Sequence, residues 1–138
     1  MKQTTVFDCS IIKLPKISTD TGTITSINSL AEVPFDVKRV YYLYDVPGGE
    51  SRGGHAHKEL KQLIVAASGS FDIVIDDGVT KRKFTLSRPY YGLLMPQGIW
   101  RNLINFSSGA ICLVLASSKY SESDYIRSYD DFTRFKLG

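Results

Sequence analysis

Two stretches of this chain, "QLIVAA" (Gln62–Ala67) and "AICLVLAS" (Ala110–Ser117), are apolar at nearly every position. Their neighbours instead alternate apolar and polar residues. Successive side chains of a strand point to opposite faces, so an alternating strand needs one face covered and a continuously apolar strand needs both. A chain carrying both kinds must stack sheets and bury some strands completely.

The remaining runs rich in Val, Ile, Tyr, Phe and Thr predict strands at Ile11–Leu14, Thr23–Ile27, Val37–Val46, Ser70–Asp76, Thr80–Leu86, Tyr91–Pro96 and Trp100–Phe106. The sharpest hairpin signal is "FDIVIDDGVTKRKFTL". Asp77-Gly78 suits a two-residue turn at positive φ. Phe71, Ile73 and Ile75 face one way before it, and Arg82, Phe84 and Leu86 share a face after it. Only "SESDYIRSYDDFTRF" reads as helical. Ser121 with Asp124 has capping-box spacing, and Tyr125, Tyr129 and Phe132 fall on one helical face. Many short strands and one terminal helix predict an all-β sandwich or barrel, whose interior can hold a small ligand.

At 138 residues the chain reads as a single domain, able to bury a core unaided. A net charge of +3 without a dense Lys/Arg block argues against a nucleic-acid partner. No stretch approaches a membrane span and the N-terminus lacks the pattern of a cleaved leader, so a cytoplasmic location is expected. Cys9 and Cys112 are the only cysteines, and Cys112 lies in an apolar run; neither a disulfide nor a thiolate metal site is expected.

The chemistry concentrates in "RGGHAHKELKQLIVAASG". His55 and His57, the only histidines, are two apart and share a strand face. Such a pair serves either as metal ligands or as neutral acid–base groups near pH 7.

The stretch resembles the first motif of the cupins, with His55, His57 and Gly69 in place but Gln62 where metal-binding cupins carry glutamate. "PQGIWRNLIN" resembles the second, with Pro96, Gly98 and Asn105 in place but Arg101 where the third histidine ligand stands. A neutral amide is a poor ligand and a guanidinium repels a cation. The expectation is therefore no metal and no cofactor.

The closer resemblance is to the WxcM-like cupins, the dTDP-4-keto-6-deoxyglucose 3,4-ketoisomerases. It is carried in order by "KRVYY", "RGGHAHK", "PQGIW", "LVLAS" and "DYIRSYD" and extends over about Gly22 to Phe132. It implies a cupin double-stranded β-helix with a short C-terminal helix, moving a ketone from C4 to C3 of a nucleotide-linked 6-deoxyhexose. His55 would be the base, His57 a second imidazole shuttling protons or hydrogen-bonding at the sugar oxygens, and Tyr41 a donor to the developing oxyanion or a proton relay. Arg39, Arg52, Gln62, Trp100, Arg101 and Asn105 are the candidate substrate contacts. Gly54 departs from a family aromatic and would leave space beside His55. Thr21 and Arg101 would decide the product's C4 configuration. The resemblance also implies a homodimer exchanging the N-terminal segment through "SIIKLPKI", and a product used for 3-amino-3,6-dideoxy sugars of surface polysaccharide. A 3,5-epimerase-like cupin, a non-catalytic nucleotide-sugar-binding cupin and a metal-dependent oxygenase are the alternatives.

Overall fold

A computed structural model describes residues 3–138. The chain forms β1 (Ser10–Lys13), β2 (Ile17–Thr19), β3 (Gly22–Ile24), β4 (Arg39–Leu43), β5 (Arg52–His57), β6 (Gln62–Ser68), β7 (Phe71–Asp76), β8 (Lys81–Leu86), β9 (Tyr91–Met95), β10 (Trp100–Ile104), β11 (Ile111–Ala116), β12 (Tyr125–Ile126) and helix α1 (Tyr129–Leu137). Two five-stranded antiparallel sheets, ordered β1-β9-β6-β11-β4 and β12-β5-β10-β7-β8, face each other, and β2 pairs with β3 alone. This is the jelly-roll arrangement of a cupin with one short C-terminal helix.

The two apolar runs become the central strands β6 and β11 of the first sheet. Their inward residues Ile64, Ala66, Cys112 and Val114 join Phe71, Ile73, Ile75 and Leu103 of the other sheet in the main core. Their outward residues Leu63, Val65 and Leu115 are covered by Val33 and Phe35 from the segment between β3 and β4. Burial on both faces is the reason neither run alternates.

The hairpin forms with Asp76 opposite Lys81 and Asp77 N–H bonded to the Thr80 carbonyl, so the turn's central residues are Gly78 and Val79. It lies one residue beyond the expected pair. Gly78 takes the positive φ (92°), and the buried Asp77 accepts from Val79 N at 2.9 Å and Thr80 N at 2.8 Å. A side chain able to cap the turn is better placed before the bend than inside it.

The helix begins later than its apolar spacing predicts. Ser121 makes no side-chain cap bond, and Glu122–Asp124 is a single 3₁₀ turn. Tyr125 and Ile126 extend instead as β12 against His57 and Ala56. The helix starts after Ser128, whose hydroxyl accepts from Asp131 N. An unpaired edge of β5 outcompeted a helical turn for these residues. Phe132, fully buried, packs with Ala56, Ile126 and Trp100, so α1 seals the outer face of the strand that carries the histidines.

Cys9 and Cys112 are both buried free thiols, pushed up to about 12 by burial. No helix among the described residues is long and apolar enough to cross a membrane.

Candidate active site

The "RGGH" stretch sets the site's shape. Strand β10 pairs Arg101 with His55 and Leu103 with Arg52, so three steps on β5 match two on β10. The extra residue is a bulge, and Gly53 absorbs it at φ 84°. Strict alternation would send Arg52 away from His55; the bulge brings both to one cavity. That cavity is about 290 Å³ and is lined by Arg39, Tyr41, Arg52, His55, Arg101, Tyr125 and Arg127, with Ile64, Leu103 and Val114 as its apolar floor. It suits a hexose ring, while a nucleotide would have to extend past its open rim.

The two imidazoles touch through their Nε2 atoms at 3.2 Å, with rings perpendicular. His57 is almost wholly buried, and its Nδ1 lies 3.0 Å from a carboxylate oxygen of Asp124. The Tyr125 ring packs on both, 4.4 Å from His57 and 5.0 Å from His55 between centroids. Burial, and then the Arg101 guanidinium, push His55 down to about 2 and His57 to about 3. Both imidazoles are neutral at physiological pH.

Across the cavity runs a second polar chain. Buried Arg101 donates through Nη1 to Gln62 Oε1, and Gln62 Nε2 donates to the Tyr41 hydroxyl at 3.0 Å. The guanidinium fixes the amide's orientation, and the amide occupies the phenol oxygen as an acceptor. The Tyr41 proton is therefore free to point at a ligand. Burial raises Tyr41 above its ordinary value, so it stays a phenol. The Arg101 Nε is buried with no partner among the described residues. Arg101, paired opposite His55, and Gln62 occupy the motif positions where metal-binding cupins carry their other two ligands. The guanidinium puts a positive charge there instead of a ligand set.

Arg39 stacks on Tyr41 at 4.4 Å and faces Tyr120 at 5.2 Å. Arg127 lies over Tyr125 at 4.2 Å while Glu122 grips it at 2.7 and 2.9 Å. With Arg52 they form a cationic rim suited to a diphosphate.

The structure thus gathers Tyr41, His55, Arg39, Arg52 and Arg101 at one cavity, with His57 and Gln62 directly behind. It does not bring Trp100 or Asn105 there. Trp100 faces the opposite side of β10, its ring 5.3 Å from Tyr129 and 5.7 Å from Phe132. Neighbours on a strand alternate, so Arg101 facing inward sends Trp100 outward. Asn105, just past the end of β10, is exposed at φ 57° and donates to Asp72 at 2.8 Å. Gly54 likewise lies outward; a Cβ there would meet Asn102 Oδ1 at 3.0 Å and Trp100, so it adds no room beside His55. Thr21 is exposed on the β2–β3 turn, bonded to Thr19 at 3.1 Å. Asp124, Tyr125 and Arg127 are the residues sequence reasoning missed as site groups. They lie in the stretch whose apparent helical spacing assigned it to a cap and a packing face.

Two facing antiparallel sheets with a histidine pair at an interior cavity have the architecture of the cupins. The comparisons narrow the class. A family model described as "FdtA: WxcM-like, C-terminal" matches residues 7–137. A TDP-4-oxo-6-deoxy-alpha-D-glucose-3,4-oxoisomerase from Aneurinibacillus thermoaerophilus is 41% identical over 125 residues, 91% of this chain and 90% of that protein. A 3,4-ketoisomerase crystal structure from Helicobacter canadensis is 41% identical, with TM-score 0.93 over 95% of this chain and 98% of that one. A histidine-to-asparagine variant of the 3,4-ketoisomerase QdtA from Thermoanaerobacterium thermosaccharolyticum, in complex with TDP-4-keto-6-deoxyglucose, is 34% identical, with TM-score 0.93 over 96% of each chain. The chain belongs to the WxcM-like FdtA family and, like these relatives, is an isomerase of the 3,4-ketoisomerase kind.

Proposed function

We propose that this protein converts a dTDP-4-keto-6-deoxyhexose into its 3-keto isomer by histidine-mediated proton transfer through an enediol(ate). The observation that carries this reading is the apposition, in one cavity, of an uncharged imidazole at His55 and a phenol proton at Tyr41 freed by Gln62. The C3 proton is acidic because the C4 carbonyl accepts the electron pair. His55 takes that proton; the pair becomes the C3–C4 double bond, and the charge moves to O4. Tyr41 is the donor for that oxyanion, with the buried Arg101 cation behind it. Proton return to C4, with transfer of the O3 proton to O4, leaves the ketone at C3. Each atom and electron pair is conserved, so the reaction calls for no redox partner.

The rim arginines Arg39, Arg52 and Arg127 hold the diphosphate in this reading, and residues 1–138 act as one cupin unit. A homodimer is supported by the exposed Ile17 and Ile24 of the β2–β3 arm and by the exposed Val40 and Tyr42 of β4 with Tyr44 just beyond it. A cytoplasmic site of action agrees with two unpaired buried thiols. The product, a 3-keto sugar, suits synthesis of 3-amino-3,6-dideoxy sugars.

Incubation with dTDP-4-keto-6-deoxyglucose in D₂O, followed by NMR, tests the reading. A 3-keto product is expected, with deuterium at C4 to the extent that the His55 proton exchanges before return. Deuterium at C3 and C5 with the C4 carbonyl retained would mean 3,5-epimerisation. Binding without turnover, in wild type as in His55→Asn, would mean a binding module.

A further inference from the structure

We propose that Asp124 is a positioning residue that turns the two histidines into a directional proton relay, an inference that rests on the isomerase reading above. Asp124 is fixed on three sides to the end of β5. Its Oδ2 lies 3.0 Å from His57 Nδ1, its Oδ1 accepts Glu59 N at 2.8 Å, and its main-chain carbonyl accepts Lys58 N at 2.9 Å. The pairing of Tyr125 with His57 in the next step of the chain holds this arrangement in register.

A carboxylate only accepts, so His57 carries its proton on Nδ1. Its Nε2 is then a lone pair. The 3.2 Å contact between the two Nε2 atoms is satisfied only if His55 donates from Nε2. Asp124, which never reaches the cavity, thereby dictates the tautomer of the ring that does: the basic nitrogen of His55 is Nδ1. When His55 Nδ1 takes the substrate proton, its Nε2 proton passes to His57 Nε2. The positive charge then resides on His57, between His55 and the Asp124 carboxylate. The return path runs in reverse. In the forward direction the substrate C3–H and the His55 Nε2–H bonds break while His55 Nδ1–H and His57 Nε2–H bonds form, and the substrate's electron pair stays in the enediolate.

The surroundings make such an anion necessary. Arg101, Arg39 and Arg127 all oppose a charge on His57, and the Tyr125 ring packs on both imidazoles. Without Asp124 the charged intermediate of the relay has no counterion.

Histidine ¹⁵N NMR of the free enzyme reads the tautomers without substrate, independently of whether the reaction assigned above is correct. The expected result is Nδ1–H for His57 and Nε2–H for His55. Asp124→Asn is nearly isosteric and keeps an acceptor for Glu59 N–H, so the fold should persist. With its Oδ1 on Glu59 N–H, its Nδ2–H faces His57 Nδ1, so it should shift His57 toward the Nε2–H tautomer and lower kcat roughly 10²–10³-fold with KM within a few-fold, and Asp124→Glu should restore part of the loss. Nε2–H at His57 in wild type would overturn the proposal, and so would unchanged tautomers and kcat in Asp124→Asn. Should Asp124→Asn not fold, the wild-type spectrum alone decides.

Discussion

The amide of Gln62 donates to the phenol oxygen of Tyr41 at 3.0 Å, while its carbonyl accepts from buried Arg101. Side-chain amides can flip; this one is set, because a guanidinium has no acceptor to offer Nε2. Tyr41 is thus oriented by residues from two other strands, β6 and β10, that never share a local sequence window with it.

Removing the Tyr41 hydroxyl should test its role as donor. Tyr41→Phe keeps the ring under Arg39 and leaves only the Gln62 amide short of a partner. We expect kcat to fall roughly 10²-fold while KM changes by a few-fold at most, since a donor to a developing oxyanion acts mainly in the transition state. Steady-state kinetics on the nucleotide sugar checks this. An equal rise in KM at constant kcat would assign Tyr41 to substrate binding instead.

The residues that replace a metal's ligands suggest a gain-of-function test. The double substitution Gln62→Glu and Arg101→His would supply a carboxylate and a third imidazole beside His55 and His57, a four-ligand set of the kind that holds Zn or Fe. Elemental analysis after purification should show about one transition-metal ion per chain in that variant and none in wild type. Isomerase activity should fall, because a bound cation removes the imidazole lone pairs from proton transfer. Stoichiometric metal in wild type, needed for turnover, would contradict the proton-transfer reading.

The buried histidines make stability depend on pH with a defined sign. His55 and His57 are held near 2 and 3 by burial and the Arg101 cation, against 6.5 in an unfolded chain. Between these values the unfolded chain binds more protons, so stability rises with pH. The contribution is complete above about 6.5 and is lost as pH falls toward 3. Each imidazole adds a slope of at most about 1.4 kcal/mol per pH unit. Urea unfolding at pH 4.5, 5.5 and 7 should show a steeper loss for wild type than for His57→Gln. Equal slopes would mean that His57 protonates freely in the folded protein. For the same reason kcat/KM should show no acidic limb near 6.5.

The β2–β3 arm offers a test of assembly. Ile17 and Ile24 face each other across it and are 61% and 64% exposed. If a second copy covers them, Ile17→Asp with Ile24→Asp should convert a dimer into a monomer in sedimentation analysis while the barrel stays folded. A wild-type monomer would remove the homodimer from the functional proposal.

Much of this protein follows from local rules. Period-two alternation in "FDIVID" and "KRKFTL" told which residues face the core, and continuous apolarity in β6 and β11 told which strands lie inside. His55 and His57 share a face because they are two apart, and that required no tertiary knowledge. The same rule, applied to Trp100 beside Arg101, would have placed the tryptophan outside the cavity had the inward residue been known. Which of the two faces inward is decided by packing across the barrel, where Arg101 meets Gln62 and Trp100 meets Phe132.

Asp124 marks the boundary more sharply. It stands 67 residues from His57 in the chain, and its nearest sequence signal was a serine three residues back that would cap a helix. A propensity of that kind is worth tenths of a kcal/mol to about one. Pairing β12 onto the open edge of β5 satisfied two strands' backbone groups, buried Ile126 and delivered a carboxylate to an imidazole, and it prevailed. Sequence by itself determined most strands of the two sheets, the all-β class and the histidine pair, because those depend on spacing along one segment; it did not read β2, β5 or β12. Only the tertiary structure decided what stands behind each histidine, because long-range pairing chooses among local options of nearly equal free energy.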